Sequence, residues 1–185
     1  MRSILMLLAL CAGLPALAEQ QSLVVCSEAS PEGFDIVQYT AATTADASAE
    51  TVYERLVQFA PGSTRIIPAL AESWEISADG LTYTFTLRKG VKFHETPWFK
   101  PSRELNADDV LWSFQRQRDK DHDWHELAPR GFPYFEAMGF AELIDEIEAL
   151  DEHRVRFTLK HPEAPFLADL AMGYTSIYSA QDAEQ

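Results

Sequence analysis

Apolar and polar positions alternate most regularly between Ala71 and Arg88. Trp74 and Ile76 interleave with Glu75 and Ser77; Tyr83, Phe85 and Leu87 interleave with Thr84, Thr86 and Arg88. A period of two puts each apolar set on one face of a strand. Asp79-Gly80 lies between the two runs, and that dipeptide is a strong turn signal, so the pair reads as a hairpin. A second hairpin is expected from residues 143–150 and 155–159, turning at Asp151-Glu152-His153-Arg154. Val155, Phe157 and Leu159 alternate cleanly. Ile144, Ile147 and Leu150 are three apart, which implies a bulge or a helical turn in the first arm.

Elsewhere the period lengthens. Ala49, Val52, Tyr53, Leu56 and Val57 recur at helical spacing behind Asp46, a capping residue, so a helix is expected from Ala47 until Pro61-Gly62 breaks it. Asn106 is placed to cap a second helix, with Asp108 and Asp109 in its first turn favouring the dipole and Val110, Leu111 and Phe114 as its buried stripe. Residues 22–27 (SLVVCS) read as a short buried strand, and residues 29–46 as a loop of small and turn residues. Lys89-Gly90 turns the chain before residues 91–94. Residues 119–133 are charged, then punctuated by Gly and Pro, and read as an exposed loop. Residues 165–171 read as a short helix and 174–178 as a strand. Ser179 with Asp182 marks the start of another capped helix. The sum is a mixed α+β unit built on hairpins.

The first residues change the picture of where the chain works. Arg2, an apolar run over 4–14 and the small-x-small triplet Ala16-Leu17-Ala18 have the form of a signal peptide, residues 1–18, cut before Glu19. The run is shorter than the roughly 20 residues that span a bilayer. Leu10 precedes Cys11, where a lipidation site needs a small residue. The remainder is long enough for one domain burying about 70% of its unfolded surface. The 185-residue chain carries a net charge of −14, which disfavours nucleic acid and anionic membranes as partners. Cys26 is left as an odd cysteine in an exported chain, either a buried hydrophobe or a thiol whose partner lies elsewhere.

Catalytic chemistry is weakly represented. Neighbouring carboxylates on a helix, such as Asp108 and Asp109, diverge by about 100° and do not converge on one substrate atom. Cys26 has no adjacent base. His122 and His125 have i, i+3 spacing, but no second structured pair completes a metal site, and they read as a solvated loop. The aromatic residues Trp74, Tyr83, Phe85, Phe114 and Phe157 fit core faces. The more informative segment is Tyr39-Thr40-Ala41-Ala42-Thr43-Thr44. It is small and hydroxylic, so its backbone groups are lightly shielded, and an extended peptide can pair with such a segment by strand addition. A plain connecting loop has the same composition.

Two long stretches resemble a known family. AESWEISADGLTYTFTLRKGVKFHE (71–95) and LNADDVLWSF (105–114) are similar to the signature region of the extracellular solute-binding proteins of peptide-type ABC importers, family 5. CSEASPEGFD, YTAATTADAS, PYFEAMGFAELI and HPEAPFLADLAM resemble its dipeptide-binding members, so the likeness runs from about Ser22 to Ser179. The resemblance implies an incomplete type II periplasmic-binding-protein fold (cluster C). Residues 19–46 would begin the ligand-binding lobe. Residues 47–185 would form an accessory α+β subdomain, interrupted at a helix start. It implies a periplasmic, non-enzymatic binding component that takes a dipeptide, delivers it to a membrane permease, is monomeric when complete and needs no cofactor. It implies ligand contact by Tyr39, Thr40, Ala41, Ala42, Thr43 and Thr44, and a disulfide from Cys26 to a cysteine beyond the chain end. Ala41-Ala42 stand where the dipeptide-binding members have a serine and a glycine. Other ligands within the family are oligopeptides, glutathione, nickel chelates and haem. From other classes, a secreted hydrolase would need two convergent carboxylates, which the sequence lacks, and a stand-alone interaction module would need to fold without further chain.

Overall fold

The computed structural model describes residues 24–181. The expected signal peptide, residues 1–18, and the expected helix beyond Ser179 lie largely outside that range. The chain enters through a 3-10 turn (Ile36–Gln38) and a short helix, α1 (Ala42–Ala47). A small hairpin follows, β1 (Val57–Phe59) with β2 (Ile66–Pro68). Then come β3 (Ala71–Ile76) and β4 (Thr82–Leu87), the helix α2 (Ala107–Arg118) and two short helices, α3 (Pro133–Ala137) and α4 (Phe140–Leu143). The strands β5 (Ile144–Asp151) and β6 (Arg154–Leu159) and the helix α5 (Phe166–Asp169) complete the order. β3, β4, β6 and β5 lie side by side in one antiparallel sheet. No helix among the described residues is long and apolar enough to cross a membrane.

Both expected hairpins of that sheet form. In the first turn Asp79 Oδ1 accepts from the Ser77 hydroxyl at 2.5 Å and the Leu81 amide at 3.1 Å, and Gly80 takes φ 72°. That angle is open to glycine at no steric cost. β5 is irregular between Ile144 and Glu146 and again between Ala149 and Asp151, which is how residues spaced by three keep facing inward. Register then stacks the core across the sheet: Trp74 opposes Phe85, Phe85 opposes Val155, and Tyr83 opposes Phe157. The Phe157 ring meets Phe114 of α2 at 5.0 Å, Phe85 at 5.7 Å and Phe166 of α5 at 5.8 Å, all edge-on. Edge-on rings place a positive edge against a negative face. α2 itself opens on a capping box between Asn106 and Asp109.

Four sequence expectations are corrected. The helix from Ala47 does not form. Instead the amides of Thr51, Val52 and Tyr53 converge on the Ser48 carbonyl in a set of turns, and the chain straightens into β1. Ala49, Leu56 and Val57 are buried as expected, but a turn followed by a strand brings them inside. Pro61-Gly62 is accordingly the tip of a hairpin, closed by the Ala60 amide on the Arg65 carbonyl at 2.8 Å. The loop over 29–46 is shorter than expected, because α1 occupies its end. Residues 24–27 are not a buried strand: Val24 and Val25 are 84% and 75% exposed, and no strand among the described residues pairs with them. Of the strand expected over 174–178, only Ile177 pairs, in a single bridge to Glu54; residues 173–175 are a 3-10 turn.

Candidate ligand pocket

The turn at Ile36–Gln38 is anchored by the buried side chains of Ile36 and Val37. Past it the backbone extends. Tyr39 has φ −123° and ψ 156°, and Ala41 has φ −71° and ψ 130° before α1 begins. Thr40, Ala41 and Ala42 make no hydrogen bond through their amides among the described residues. The Thr40 and Ala41 amides are thus open to an outside acceptor, water included, while the Ala42 amide is unpaired as in the first turn of any helix.

A pocket of about 160 Å³ opens beside it. Tyr39, Thr40, Ala41 and Ala42 form one wall. The opposite wall is Tyr134 from α3 and Met172, Gly173 and Tyr174 from the turn after α5. The rings of Tyr134 and Tyr174 stack at 4.3 Å and 13°. Gly173 is required by close approach, since a Cβ there would lie 2.8 Å from the Ala49 methyl carbon. The Arg130 guanidinium covers the Tyr39 ring at 5.0 Å, a cation–π contact on the side of the loop.

Two of the expected ligand residues do not line this pocket. Thr43 and Thr44 are buried in α1, and the Thr44 hydroxyl accepts from the Glu32 amide at 2.9 Å. The Thr44 hydroxyl thereby ties α1 to the segment before it. The structure brings Tyr39 to Ala42 together with Tyr134, Met172 and Tyr174, which the sequence reading missed. These partners are about 90 to 130 positions away, and no local period marks them. Gly173 between two large side chains was the one available signal of a close backbone approach.

Tyr174 is almost wholly buried, and its hydroxyl has no hydrogen-bond partner among the described residues. Burial, then the nearby Asp169 carboxylate and the Tyr134 phenol, push its phenol up to about 12. Asp169 is in turn raised above the usual aspartate value by burial and by Glu163. No charged residue lines the pocket.

A larger cavity of about 390 Å³ lies on the other side of Asp35, lined by Trp112, Trp124, Tyr178 and Phe99 among others. Two of the charges that line it are paired. Asp35 and Arg116 form an ion pair, and the Arg116 guanidinium sits 5.6–5.8 Å from the rings of Trp112, Phe132 and Tyr178. His122 packs edge-on against Trp112 at 5.6 Å, and His125 Nδ1 lies 2.9 Å from the Arg116 carbonyl, so both expected loop histidines serve this packing. Asp109 is fully buried as a cap and ion-pair partner of Arg103. Cys26 is an exposed thiol in this structure, which overturns its reading as a buried hydrophobe.

The model of the bacterial extracellular solute-binding proteins, family 5, matches residues 65–185. The di/tripeptide-binding protein 4 of Pseudomonas aeruginosa is 64% identical over 178 residues, covering 96% of this chain and 33% of that protein. The haem-binding protein A of Haemophilus influenzae is 50% identical over 167 residues, covering 90% of this chain and 30% of that protein. The crystal structure of a dipeptide-binding protein from a Pseudoalteromonas species, in complex with Met-Leu, superposes with a TM-score of 0.82 at 40% identity, covering 86% of this chain and 31% of the other. The chain spans about a third of the length of the curated relatives it matches.

Proposed function

The chain belongs to family 5 of the bacterial extracellular solute-binding proteins and shares part of their type II fold, and from that premise we propose that it contributes one wall of a peptide cleft in the binding component of an ABC importer. The proposed ligand is a dipeptide or tripeptide, held and released without bond cleavage. The single observation that carries the reading is the extended stretch Tyr39–Ala41, with the Thr40 and Ala41 amides unpaired among the described residues, beside a pocket of about 160 Å³. Extended ligands pair with such a backbone by strand addition, while pockets beside it take side chains. Relatives that match over nearly this whole chain are named as peptide binders, which favours the same ligand class here.

The pocket supplies apolar surface and backbone groups but no charge. In this proposal the ammonium and carboxylate of the peptide find their partners in residues outside those described. Closure of two lobes around the ligand, the hinge motion of periplasmic binding proteins, brings the two sets together. We assign residues 19–46 to the ligand-binding lobe and 47–185 to an accessory subdomain, with export to the periplasm after loss of residues 1–18, delivery to a membrane permease, a monomeric complete protein and a disulfide partner for the exposed Cys26. Haem is the less favoured ligand. The relatives of higher identity than the haem-binding one are named for di- and tripeptides.

The test is calorimetry on the product of the full reading frame, titrated with Met-Leu and with free methionine and leucine. Saturable binding of the dipeptide alone is expected. The variant Ala41→Pro removes one amide donor at a φ that proline also adopts. It is expected to weaken the dipeptide about tenfold, the worth of a hydrogen bond of roughly 1–1.5 kcal/mol. Absence of any dipeptide signal, or tight binding of haem in its place, would overturn the proposal.

A further inference from the structure

The turn Ile36–Gln38, which leads into the extended stretch, opens on Asp35, and the Gln38 amide bonds back to the Asp35 carbonyl at 3.0 Å. The Asp35 carboxylate does not cap that turn. It gathers three side-chain donors instead. Gln38 Nε2 donates to Oδ2 at 2.6 Å, Arg116 Nη1 donates to Oδ1 at 3.2 Å, and Arg116 Nη2 donates to Oδ2. Guanidinium and carboxylate thus meet fork on fork, a geometry that fixes direction as well as distance. The Tyr39 amide closes the turn on the Ile36 carbonyl at 3.1 Å, and the unpaired Thr40 and Ala41 amides follow directly.

Arg116 comes from α2, 81 positions along the chain, and its own place is set by neighbours other than Asp35. Its side chain is 6% exposed, against 28% for Asp35. Trp112 lies one helical turn earlier on the same face. Its ring and those of Phe132 and Tyr178 stand 5.6–5.8 Å from the guanidinium carbon, and Nε donates to the Trp124 carbonyl at 3.4 Å. A planar guanidinium confined among rings is a rigid post. The turn has apolar anchors too, the buried Ile36 and Val37. Apolar burial is non-directional, so it fixes the depth of the turn and leaves its orientation free. The forked pair supplies the direction, and with it the way the Thr40 and Ala41 amides face. By the assignment above, Asp35 belongs to the ligand-binding lobe and Arg116 to the accessory subdomain.

We infer that Arg116 is a positioning residue for ligand binding: by holding Asp35 it fixes the turn Ile36–Gln38, so that the accessory subdomain presets the Thr40 and Ala41 amides for the backbone of a bound peptide. Arg116 touches no ligand in this role. The inference rests on the peptide-binding reading above and deepens it.

The experiment is calorimetry on the product of the full reading frame, titrated with Met-Leu, with thermal unfolding of each variant alongside. Stoichiometry counts the folded protein, and Kd describes its affinity. A role in stability alone lowers the stoichiometry or the melting midpoint and leaves Kd unchanged. Arg116→Met removes the fork and keeps an unbranched chain among the rings. Kd is expected to rise about tenfold at unchanged stoichiometry, as it does when the competent arrangement falls to about a tenth of the population. Asp35→Ala is expected to match it. The double variant is expected to lie within about twofold of either single one, because residues that act as one unit are not additive. Arg116→Lys keeps the charge without the fork, and Asp35→Asn keeps the shape without the charge. Each is expected to raise Kd about threefold, and these conservative changes decide the matter where a larger one unfolds the protein. Arg154→Met breaks the exposed pair with Asp151 across the β5–β6 turn and is expected to leave Kd within about twofold. Unchanged Kd in the Asp35 and Arg116 variants, with only the melting midpoint lowered, would overturn the inference and leave the peptide reading standing. So would additive losses in the double variant. Failure of the unaltered product to bind any dipeptide would overturn both.

Discussion

Asp109 shows how much one side chain can organise. Its carboxylate accepts from both terminal nitrogens of Arg103, at 2.6 and 3.1 Å, from the Asn106 amide at 3.0 Å and from the Ala180 amide at 2.9 Å. Four donors surround a fully buried charge, so the loop before α2, the helix N-terminus and the last described segment are tied at one point. The part of this that is local was legible in the sequence, because a cap and its box lie within four residues. The tie to Ala180 was not, since nothing near Asp109 announces a partner 71 positions on. Asp109→Ala leaves the Asn106 and Ala180 amides facing an empty site, and a buried donor left unsatisfied costs about 1–3 kcal/mol. Urea unfolding is expected to show a loss of that order, and a loss below about 1 kcal/mol would contradict the tie. Tyrosines 83, 174 and 178 give the opposite kind of residue, polar groups buried with little to bond. Each phenol is raised, chiefly by burial, with Tyr174 pushed to about 12. Their unfolded counterparts ionise near 10. The stabilisation is therefore fully present below about pH 10 and is lost as pH rises through the folded values. Ultraviolet titration of the native protein is expected to show phenolate from these residues lagging the exposed ones, with stability declining above pH 10. Titration of all tyrosines together near 10 would contradict their burial.

At the scale of elements, the sheet was the legible part. Strict alternation in Thr82–Leu87 and Arg154–Leu159 admits one reading, and register places Phe157 between Phe85, Phe114 and Phe166. Even the uneven spacing in β5 carried its meaning, since two irregularities in register keep Ile144 and Ile147 inside. The stretch from Ala49 to Val57 was not legible. Apolar residues three and four apart also arise when a turn hands over to a strand. The choice is made by tertiary pairing, here of Val57 with Pro68 and of Glu54 with Ile177. The consequence can be measured. Phe157→Ala removes a wholly buried ring from the junction of sheet, α2 and α5, at an expected cost of about 3–5 kcal/mol. Val52→Ala alters a half-exposed turn residue and is expected to change stability by less than about 0.5 kcal/mol. Were residues 47–57 a packed helix, the second change would be costly as well.

At the scale of the molecule, the described residues hold a well-packed core and an unfinished surface. The apolar side chains of Val24 and Val25 stand in water beside the free thiol of Cys26, and Trp98 is 82% exposed. The bridge between Glu54 and Ile177 is a single rung, where strands of a sheet make several. The cavity of about 390 Å³ opens next to it. The wall around the pocket of about 160 Å³ fits the same pattern, with unpaired Thr40 and Ala41 amides but no charged residue in its lining. Recognition of the family was legible because its signature falls on core, turn and cap residues of the sheet and α2. The ligand wall was only half legible, because its second side comes from distant segments. The physical expectation for the 185-residue chain by itself is a folded sheet, an apolar surface that binds a hydrophobic dye, and dipeptide affinity far below that of the full reading frame. Replacing Val24 and Val25 by serine is expected to reduce dye binding without lowering the unfolding midpoint, because neither valine contributes to the core. A dye-silent, monodisperse chain that binds Met-Leu as tightly as the full product would mean that the one wall described here is the whole site.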